Sequence, residues 1–358
     1  MEGVVNTIKS AFNDVYKGRT VLITGHTGFK GAWLAMWLRN LGARVIGFSL
    51  DNCENDFVFR NSGLKSNIIN EYGDIRDLKY LKNVFDKYNP EIVFHLAAQS
   101  LVRESYRQPV DTFATNLIGT VNILECIRHT ESVKAGVIIT TDKCYKNKEQ
   151  NCGYKECDEI WGYDPYSASK ACSEIAIDSY RISFLMQTGK LVASARAGNV
   201  IGGGDFGKDR LVPDCITSLN NDKPILVRNP SSVRPWQYIL DPLYGYLLLG
   251  KMLLEGRKEY AEAWNFGPDA DSIAKVSKVV DTVISQWGKG SWKDISNPDE
   301  KMHETKMLCL DNSKAKRKLG WRPRFSLEKG IINAVEWYKR SSKEDIKALC
   351  MEQINMYS

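Results

Sequence analysis

The chain of 358 residues contains no apolar run of the roughly 20 residues needed to span a bilayer, so no membrane partner is expected. Its opening stretch, MEGVVNTIKSAFNDVY, lacks the hydrophobic core of a secretory signal. The nine cysteines include no C-x-x-C pair, and no histidine stands with them at metal-ligand spacing, so no metal is expected. An odd cysteine count without disulfide spacing suits a reducing cytoplasm, and Cys152 and Cys157, which share a loop, read as free thiols. Charge is not concentrated either. The formal net charge of +6 is modest, and Lys and Arg are spread along the chain, which points weakly to anionic ligands such as phosphates and not to nucleic acid. There is no internal repeat and no low-complexity segment.

What is present is an ordinary globular composition with residues enough for a sizeable core. Val4, Val5, Ile8, Phe12 and Val15 recur at helical spacing and predict a short docked helix. Strand and helix patterns then alternate over the first two thirds. TVLITG is a short β-branched run; FKGAWLAMWLRNLG follows as a helix closed by Gly42; RVIGFSL and SNIINEYGD are the second and third strands. LKYLKNVFDKYN is a helix stopped by Pro90, and EIVFHLAA, AGVIITT and LVASARAG are further strands, separated by long helices over residues 110–128 and 166–188. This rhythm predicts an α/β fold: a Rossmann-type doubly wound parallel sheet with right-handed crossovers. After Gly198 the rhythm breaks. NVIGGGDFGKDR reads as a Gly-rich loop and SSVRPWQYILD as irregular, so a smaller, interleaved C-terminal substrate-binding domain is expected. The expected division is residues 1–197 for a dinucleotide-binding domain, with a return at about 237–265, and 198–236 with 266–358 for the second domain.

GHTGFKG sets Gly25, Gly28 and Gly31 directly after a strand and at the opening of a helix. A dinucleotide pyrophosphate needs a tight turn, close backbone approach and the free N–H groups of a helix N-terminus. The spacing is G-x-x-G-x-x-G rather than G-x-G-x-x-G. Lys30 either adds charge toward phosphate or faces solvent. Asp51, near the end of the second strand, is the candidate for the adenosine ribose, and the lack of an Arg there favours NAD over NADP. Asp74 either meets the adenine edge or caps the next helix.

A parallel sheet binds ligands at the carboxyl ends of its strands. IITTDKCYKN ends its strand in Thr141, Asp142 and Lys143, and YSASK places Tyr166 and Lys170 one helical turn apart on one face. A phenol with an ordinary pKa near 10 is a poor base at neutral pH. A lysine ammonium one turn away, with a bound nicotinamide cation, favours the phenolate, which can then take a proton from a sugar hydroxyl as hydride leaves the carbon.

With these residues together, the sequence resembles the extended short-chain dehydrogenase/reductase family over nearly its whole length. GHTGFKG, FHLAAQS, TTDKCY, YDPYSASK, ARAGNVIGGGD and RPWQYILDPL resemble its nucleotide-sugar 4,6-dehydratases, in the branch acting on CDP-glucose. Most such dehydratases carry Thr-Asp-Glu where this chain has Thr141, Asp142 and Lys143. The resemblance implies an NAD-dependent cycle in deoxysugar biosynthesis: oxidation at C4, loss of water across C5–C6, and return of the same hydride to C6. Asp142 is then the acid for the C6 hydroxyl, which requires a raised pKa. Lys143 is the C5 base, which requires a lowered one, or a cation for the enolate. Thr141 holds the C4 oxygen for Tyr166. Implied cofactor contacts are Gly25, Thr27, Gly28, Phe29, Lys30, Gly31, Asp51, Asp74, Ile75, Ala97, Ala98, Gln99 and Asn116, besides Tyr166 and Lys170. Implied contacts of the nucleotide sugar are Ser100, Asn199, Arg210, Arg234, Trp236 and Glu304; CDP itself rests on the resemblance alone. The two long helices resemble the family's four-helix dimer interface, so a homodimer or homotetramer is expected, with Ile118, Val121, Ile123 and Ile127 fitting either that interface or the core. A nucleotide-sugar epimerase, which needs no Asp142–Lys143 pair, and a non-catalytic NAD-sensing protein are the alternatives.

Overall fold

The computed structural model describes residues 11–51, 56–150, 152–297 and 307–357. Val4, Val5 and Ile8 of the expected N-terminal helix, and Glu304, lie outside the described residues; Phe12 is buried and Val15 packs on the core.

The strands are β1 Thr20–Thr24, β2 Arg44–Ser49, β3 Ile69–Tyr72, β4 Ile92–His95, β5 Ala135–Ile139, β6 Leu191–Ala197, β7 Asn199–Ile201, β8 Ile225–Val227, β9 Val233–Tyr238, β10 Ala263–Phe266, β11 Ile273–Lys275 and β12 Trp292–Asp294. Helices of ten residues or more are α1 Phe29–Asn40, α2 Leu78–Tyr88, α3 Gly119–His129, α4 Pro165–Tyr180, α5 Leu211–Asn220, α6 Leu240–Leu254, α7 Val276–Trp287, α8 Leu327–Arg340 and α9 Ile346–Met356. Seven strands form one sheet in the order β10-β6-β5-β4-β1-β2-β3, every neighbour parallel.

Both faces of that sheet are covered, which is why its central strands read as continuous apolar runs. Successive side chains of β1 point to opposite faces. Val21 and Ile23 enter the core that holds Trp33 and Trp37 of α1, while Leu22 enters the one that holds Leu81 and Phe85 of α2 and Ile123 and Ile127 of α3. Ile123 and Ile127 are therefore core residues, whereas Ile118 stands 48% exposed.

Three of these helices, α2, α4 and α9, begin on aspartate caps, the last on Asp345. The Asp164 carboxylate accepts from the Ser167 N–H at 2.9 Å, with Pro165 opening α4. Asp77, not Asp74, caps α2, accepting from the Tyr80 N–H at 3.0 Å. The long helix expected over 110–128 runs from Pro109 to His129 through a π-helical segment, Ala114–Ile118, and the one over 166–188 carries another at Arg181–Leu185. Such widened turns change which side chains face inward.

The segments read as loop are partly strand. Asn199–Ile201 and Val233–Tyr238 pair in parallel, and β11 joins antiparallel on the other side of β9. Pro235 hides β9 in the sequence, because proline cannot donate to a ladder. The register with β7 begins only at Trp236, just beyond it. β10 returns to the edge of the large sheet beside β6. Among the described residues the cysteines are free, with Cys152 and Cys157 exposed. Among them, too, no helix is long and apolar enough to cross a membrane, and no group of His, Cys, Asp and Glu could hold a metal ion.

Candidate active site

A cavity of about 770 Å³ opens at the carboxyl end of the sheet. Its floor is the turn between β1 and α1, and the backbone there explains the glycines. Gly25 has φ +73°, and a Cβ on it would stand 2.8 Å from the Ala97 nitrogen. A Cβ on Gly31 would stand 2.1 Å from the Gly25 carbonyl oxygen, so the helix can start this close to the strand only with glycine. At Gly28, the N-cap of α1, the nearest atom to an added Cβ is 3.5 Å away, leaving room in front of the free N–H groups. Thr27, Phe29 and Lys30 also line the cavity. Lys30 thus faces inward rather than solvent. Burial and the neighbouring Arg210 and Lys170 push its ammonium down to about 8, against the pull of Asp142 and Asp205.

Thr141, Lys143, Tyr166 and Lys170 share one wall. Thr141 starts a short 3₁₀ turn in extended backbone, accepts from the Lys143 N–H at 3.3 Å and donates to Asp142 Oδ1 at 3.0 Å. Lys143 Nζ lies 3.5 Å from the same oxygen. Asp142 is buried behind this wall rather than in it, and its Oδ2 has no hydrogen-bond partner. Lys170 donates to the Ile139 carbonyl at 3.1 Å, and burial pushes it down to about 8 with Glu174 opposing. The Tyr166 phenol is not lowered: burial pushes it up to about 12, Asp142 adds to the rise, and a hydrogen bond with Thr141 and the charge of Arg210 oppose it.

Beneath this wall lies a polar network that the sequence reading missed. Glu174, one turn beyond Lys170, pairs with Arg196 of β6 at 2.8 Å and accepts from Ser194 at 2.7 Å and from Thr140. Arg196 also donates to the Tyr145 hydroxyl at 2.6 Å, which donates to Asn265 at 2.8 Å. Burial works against the Glu174 charge, but Arg196 and the donated hydrogen bonds hold its carboxyl below the ordinary range. The four-residue step from Lys170 to Glu174 was readable; the partner on β6 was not.

The remaining expected residues divide into those on the cavity and those off it. At the far end of the sheet, Ser49 and Leu50 form the wall where Asp51 was expected; Asp51 is exposed, because β2 ends two residues before it. Asp74 and Ile75 line the cavity together with Arg76, whose guanidinium binds Asp74 at 2.6 Å and Asp111 at 3.0 Å. Ala97 and Ala98 line it, but Gln99 and Asn116 do not. Asn116 instead braces the end of β4 to α4, accepting from the Gln99 N–H at 2.8 Å and donating to Ser169 Oγ at 2.9 Å. Ser100, Asn199, Arg210, Arg234 and Trp236 are all on the wall. Arg210 reaches Asp205 at 3.0 Å and Ser100 at 3.1 Å, Trp236 donates to the Ala274 carbonyl at 3.1 Å, and Asn199 Oδ1 is buried without a partner. Asp205, Asp214 and Arg228 also line the cavity without having been foreseen; Asp205 sits in the Gly-rich loop, and Asp214 in α5 and Arg228 just after β8 belong to elements that the sequence reading did not assign.

The family model described as GDP-mannose 4,6 dehydratase matches residues 22–334. The chain is 43% identical over 344 residues to the CDP-glucose 4,6-dehydratase of Salmonella typhimurium, covering 94% of this chain and 95% of that protein. Among solved structures, a dTDP-glucose 4,6-dehydratase from Streptomyces venezuelae, determined with NAD, superposes with a TM-score of 0.78 at 25% identity, over 92% of this chain and all of that one (100%). An epimerase from Methanothermobacter thermautotrophicus superposes with a TM-score of 0.82 at 24% identity, over 97% and 98% of the two chains, a likeness of fold alone. With a relative this similar along nearly its whole length and a family model matching most of its residues, the chain belongs to the nucleotide-sugar 4,6-dehydratase family within the extended short-chain dehydrogenases/reductases.

Proposed function

We propose that the protein is an NAD-dependent hydro-lyase that converts CDP-D-glucose to CDP-4-dehydro-6-deoxy-D-glucose in deoxysugar biosynthesis. The observation that carries this reading is the meeting of Thr141, Lys143, Tyr166 and Lys170 on one cavity wall with Asp142 directly behind. The 43% identity to the Salmonella CDP-glucose enzyme supports the cytidine nucleotide.

The turn from Gly25 to Gly31 fits a dinucleotide: the space in front of Gly28 is open, and the N-terminus of α1 presents unpaired N–H groups to it. Gly25, Thr27, Gly28, Phe29, Lys30 and Gly31 would hold the pyrophosphate, Asp74 and Ile75 the adenosine, and Ala97 and Ala98 the nicotinamide end. NAD held there would supply a reversible hydride acceptor for sugar C4 and C6, so that the net change would be loss of water. Tyr166, as phenolate, removes the proton of the C4 hydroxyl while Thr141 holds that oxygen. The positive charges of Lys170 and Arg210 favour the phenolate against burial. The 4-ketone so formed acidifies C5–H. Lys143 takes that proton, or steadies the enolate as a cation while water takes it, and Asp142 protonates the C6 hydroxyl, which leaves as water; a proton returns to C5 as the hydride returns to C6, and the proton taken by Tyr166 replaces the one that Asp142 gave. Asn199, Arg210 and Arg234 fit the substrate diphosphate, since an Arg fork matches two phosphate oxygens. A 4-epimerase would share the turn, Tyr166 and Lys170 but has no use for the Asp142–Lys143 pair.

The exposed apolar side chains of Val110, Ile118, Ile175 and Ile182, on the two long helices, support a homodimer through those helices. The free thiols Cys152 and Cys157 support a cytoplasmic setting. The deciding experiment supplies NAD⁺ and CDP-glucose deuterated at C4. The product should be lighter by one water and carry deuterium at C6; an isomer of unchanged mass favours the epimerase, and no conversion refutes both.

A further inference from the structure

Five aspartates line the cavity, and four are engaged: Asp74 with Arg76, Asp164 with Ser167, Asp205 with Arg210, and Asp209 with Arg228 at 2.6 Å. Asp214, in the first turn of α5, is the exception. Among the described residues its carboxyl makes no hydrogen bond or ion pair. Burial pushes it up to about 6, although Arg228, held from the other side by Asp209, pulls it down. A half-buried carboxyl left without a donor loses several water contacts for no internal return, which is costly unless a ligand supplies the donor.

The place of Asp214 beside Arg210 tells which part of the ligand meets it: the Asp214 N–H donates to the Arg210 carbonyl at 3.0 Å, one helical turn away. A glucose with C4 at Tyr166 has its diphosphate near Asn199, Arg210 and Arg234. The base then reaches the wall beyond them, built from the start of α5 and the end of β8 and including Asp214 and Arg228. A carboxylate only accepts hydrogen bonds and a guanidinium only donates. Cytosine offers the complement along one edge: its N4 amino group donates, and N3 and O2 accept. Uracil and thymine present an O4 acceptor and an N3–H donor, so the same pair meets the wrong group at both places.

Resting on the proposed reaction for the placement of the sugar, we infer that Asp214 is the residue that selects cytosine over uracil and thymine, accepting from N4 while Arg228 donates to N3. The test separates recognition from chemistry. Binding of CDP and of UDP to the full-length protein is titrated by calorimetry, without turnover, for the unaltered protein, Asp214→Asn and Asp214→Ser. CDP should bind the unaltered protein about 10–100-fold more tightly than UDP. In Asp214→Asn the ratio should fall to near one, because an amide can donate to O4; in Asp214→Ser it should fall through loss of CDP affinity alone. Equal binding of CDP and UDP to the unaltered protein, or a ratio unchanged in a folded variant, overturns the inference. A protein that selects CDP through Asp214 but forms no 4-ketone from CDP-glucose upholds the inference and refutes the reaction.

Discussion

Glu174 in α4 and Asp241 in α6 are equally buried carboxylates, at 1% and 0% exposure, yet their surroundings treat them differently. Glu174 faces Arg196 and two hydroxyl donors and is held below its ordinary range in spite of burial. Asp241 accepts from the Arg324 N–H at 2.7 Å and the Tyr357 hydroxyl at 2.8 Å, while its Oδ2 has no partner, and burial pushes it up to about 7. The guanidinium of Arg324 is turned to the rings of Tyr357 and Tyr244 at 4.9 and 5.1 Å instead. A counterion makes a buried carboxylate a fixed charge; neutral donors alone leave it titratable near neutral pH. The fixed charge lies under the cavity wall of Thr141, Lys143, Tyr166 and Lys170, and it accepts a hydrogen bond from Thr140. The titratable one holds the C-terminal helix α9 against α6, remote from the chemistry.

If the region around α4 is the rigid one, single atoms there should matter most to rate. Tyr166→Phe removes one oxygen and should lower kcat by roughly 10²–10⁴-fold with binding of NAD nearly unchanged. Near-normal turnover would refute the role. Lys143 is the less enclosed member of the set, its side chain 29% exposed. Lys143→Ala should still allow oxidation at C4 and then stall, lowering turnover by about 10²-fold or more with NADH absorbance retained and no exchange of C5–H in D₂O. Lys143→Arg decides between base and cation: a cation keeps substantial activity, whereas a base is lost as fully as with Ala.

The paired carboxylate should be costly to break from one side. Arg196→Met leaves Glu174 buried and unpaired, and a destabilisation of about 3–5 kcal/mol is expected in denaturant unfolding. The double change Glu174→Gln with Arg196→Met should recover part of it, since the two act as one unit. Additive losses would mean that the pair is not coupled and would remove the contrast with Asp241.

Much of the proposed catalytic wall was legible because its spacing is local. Tyr166 and Lys170 lie on one helix face, Thr141 to Lys143 end one strand, and the three glycines of the turn are adjacent in sequence. The glycine turn and the strand–helix rhythm are read by rules that look only a few residues along the chain. The rest of the cavity is assembled from afar. Arg196 meets Glu174 across β6, and Asp214 and Arg228 are brought to the wall from α5 and the end of β8. β9 was missed because Pro235 obscured it, and Asp51, taken as the acid after the second strand although it lies about two residues later than the simplest pattern, is not in the cavity lining. Asp142 was expected beside its neighbours; a 3₁₀ turn after Thr141 instead puts it behind them, which residue order alone does not express.

The smallest expected effect tests the other carboxylate and depends on pH. Asp241 has a folded pKa of about 7, against about 3.9 for an unfolded aspartate. Between those values the folded state holds the proton more tightly, so stability falls as pH rises from about 4 to 7 and levels off above. In Asp241→Asn the side chain stays neutral. Its Oδ1 can still accept from the Arg324 N–H and the Tyr357 hydroxyl, and its NH₂ takes the place of an oxygen that had no partner. The two proteins should therefore match only below about pH 4, where the carboxyl is protonated in the unfolded chain as well, and at pH 5 the variant already has a small advantage. From pH 5 to pH 8 that advantage should grow by about 2–3 kcal/mol, a rise of several degrees in Tm. Glu174→Gln, which removes a carboxylate of lowered pKa, should show no such gain at any pH in that range and should be destabilised throughout. Thermal unfolding of the three proteins at pH 5, 6, 7 and 8 is enough to decide. A difference between Asp241→Asn and the unaltered protein that stays flat across the series would mean that the carboxyl is ionised in the fold at every pH tested, and that burial without a counterion does not set its state.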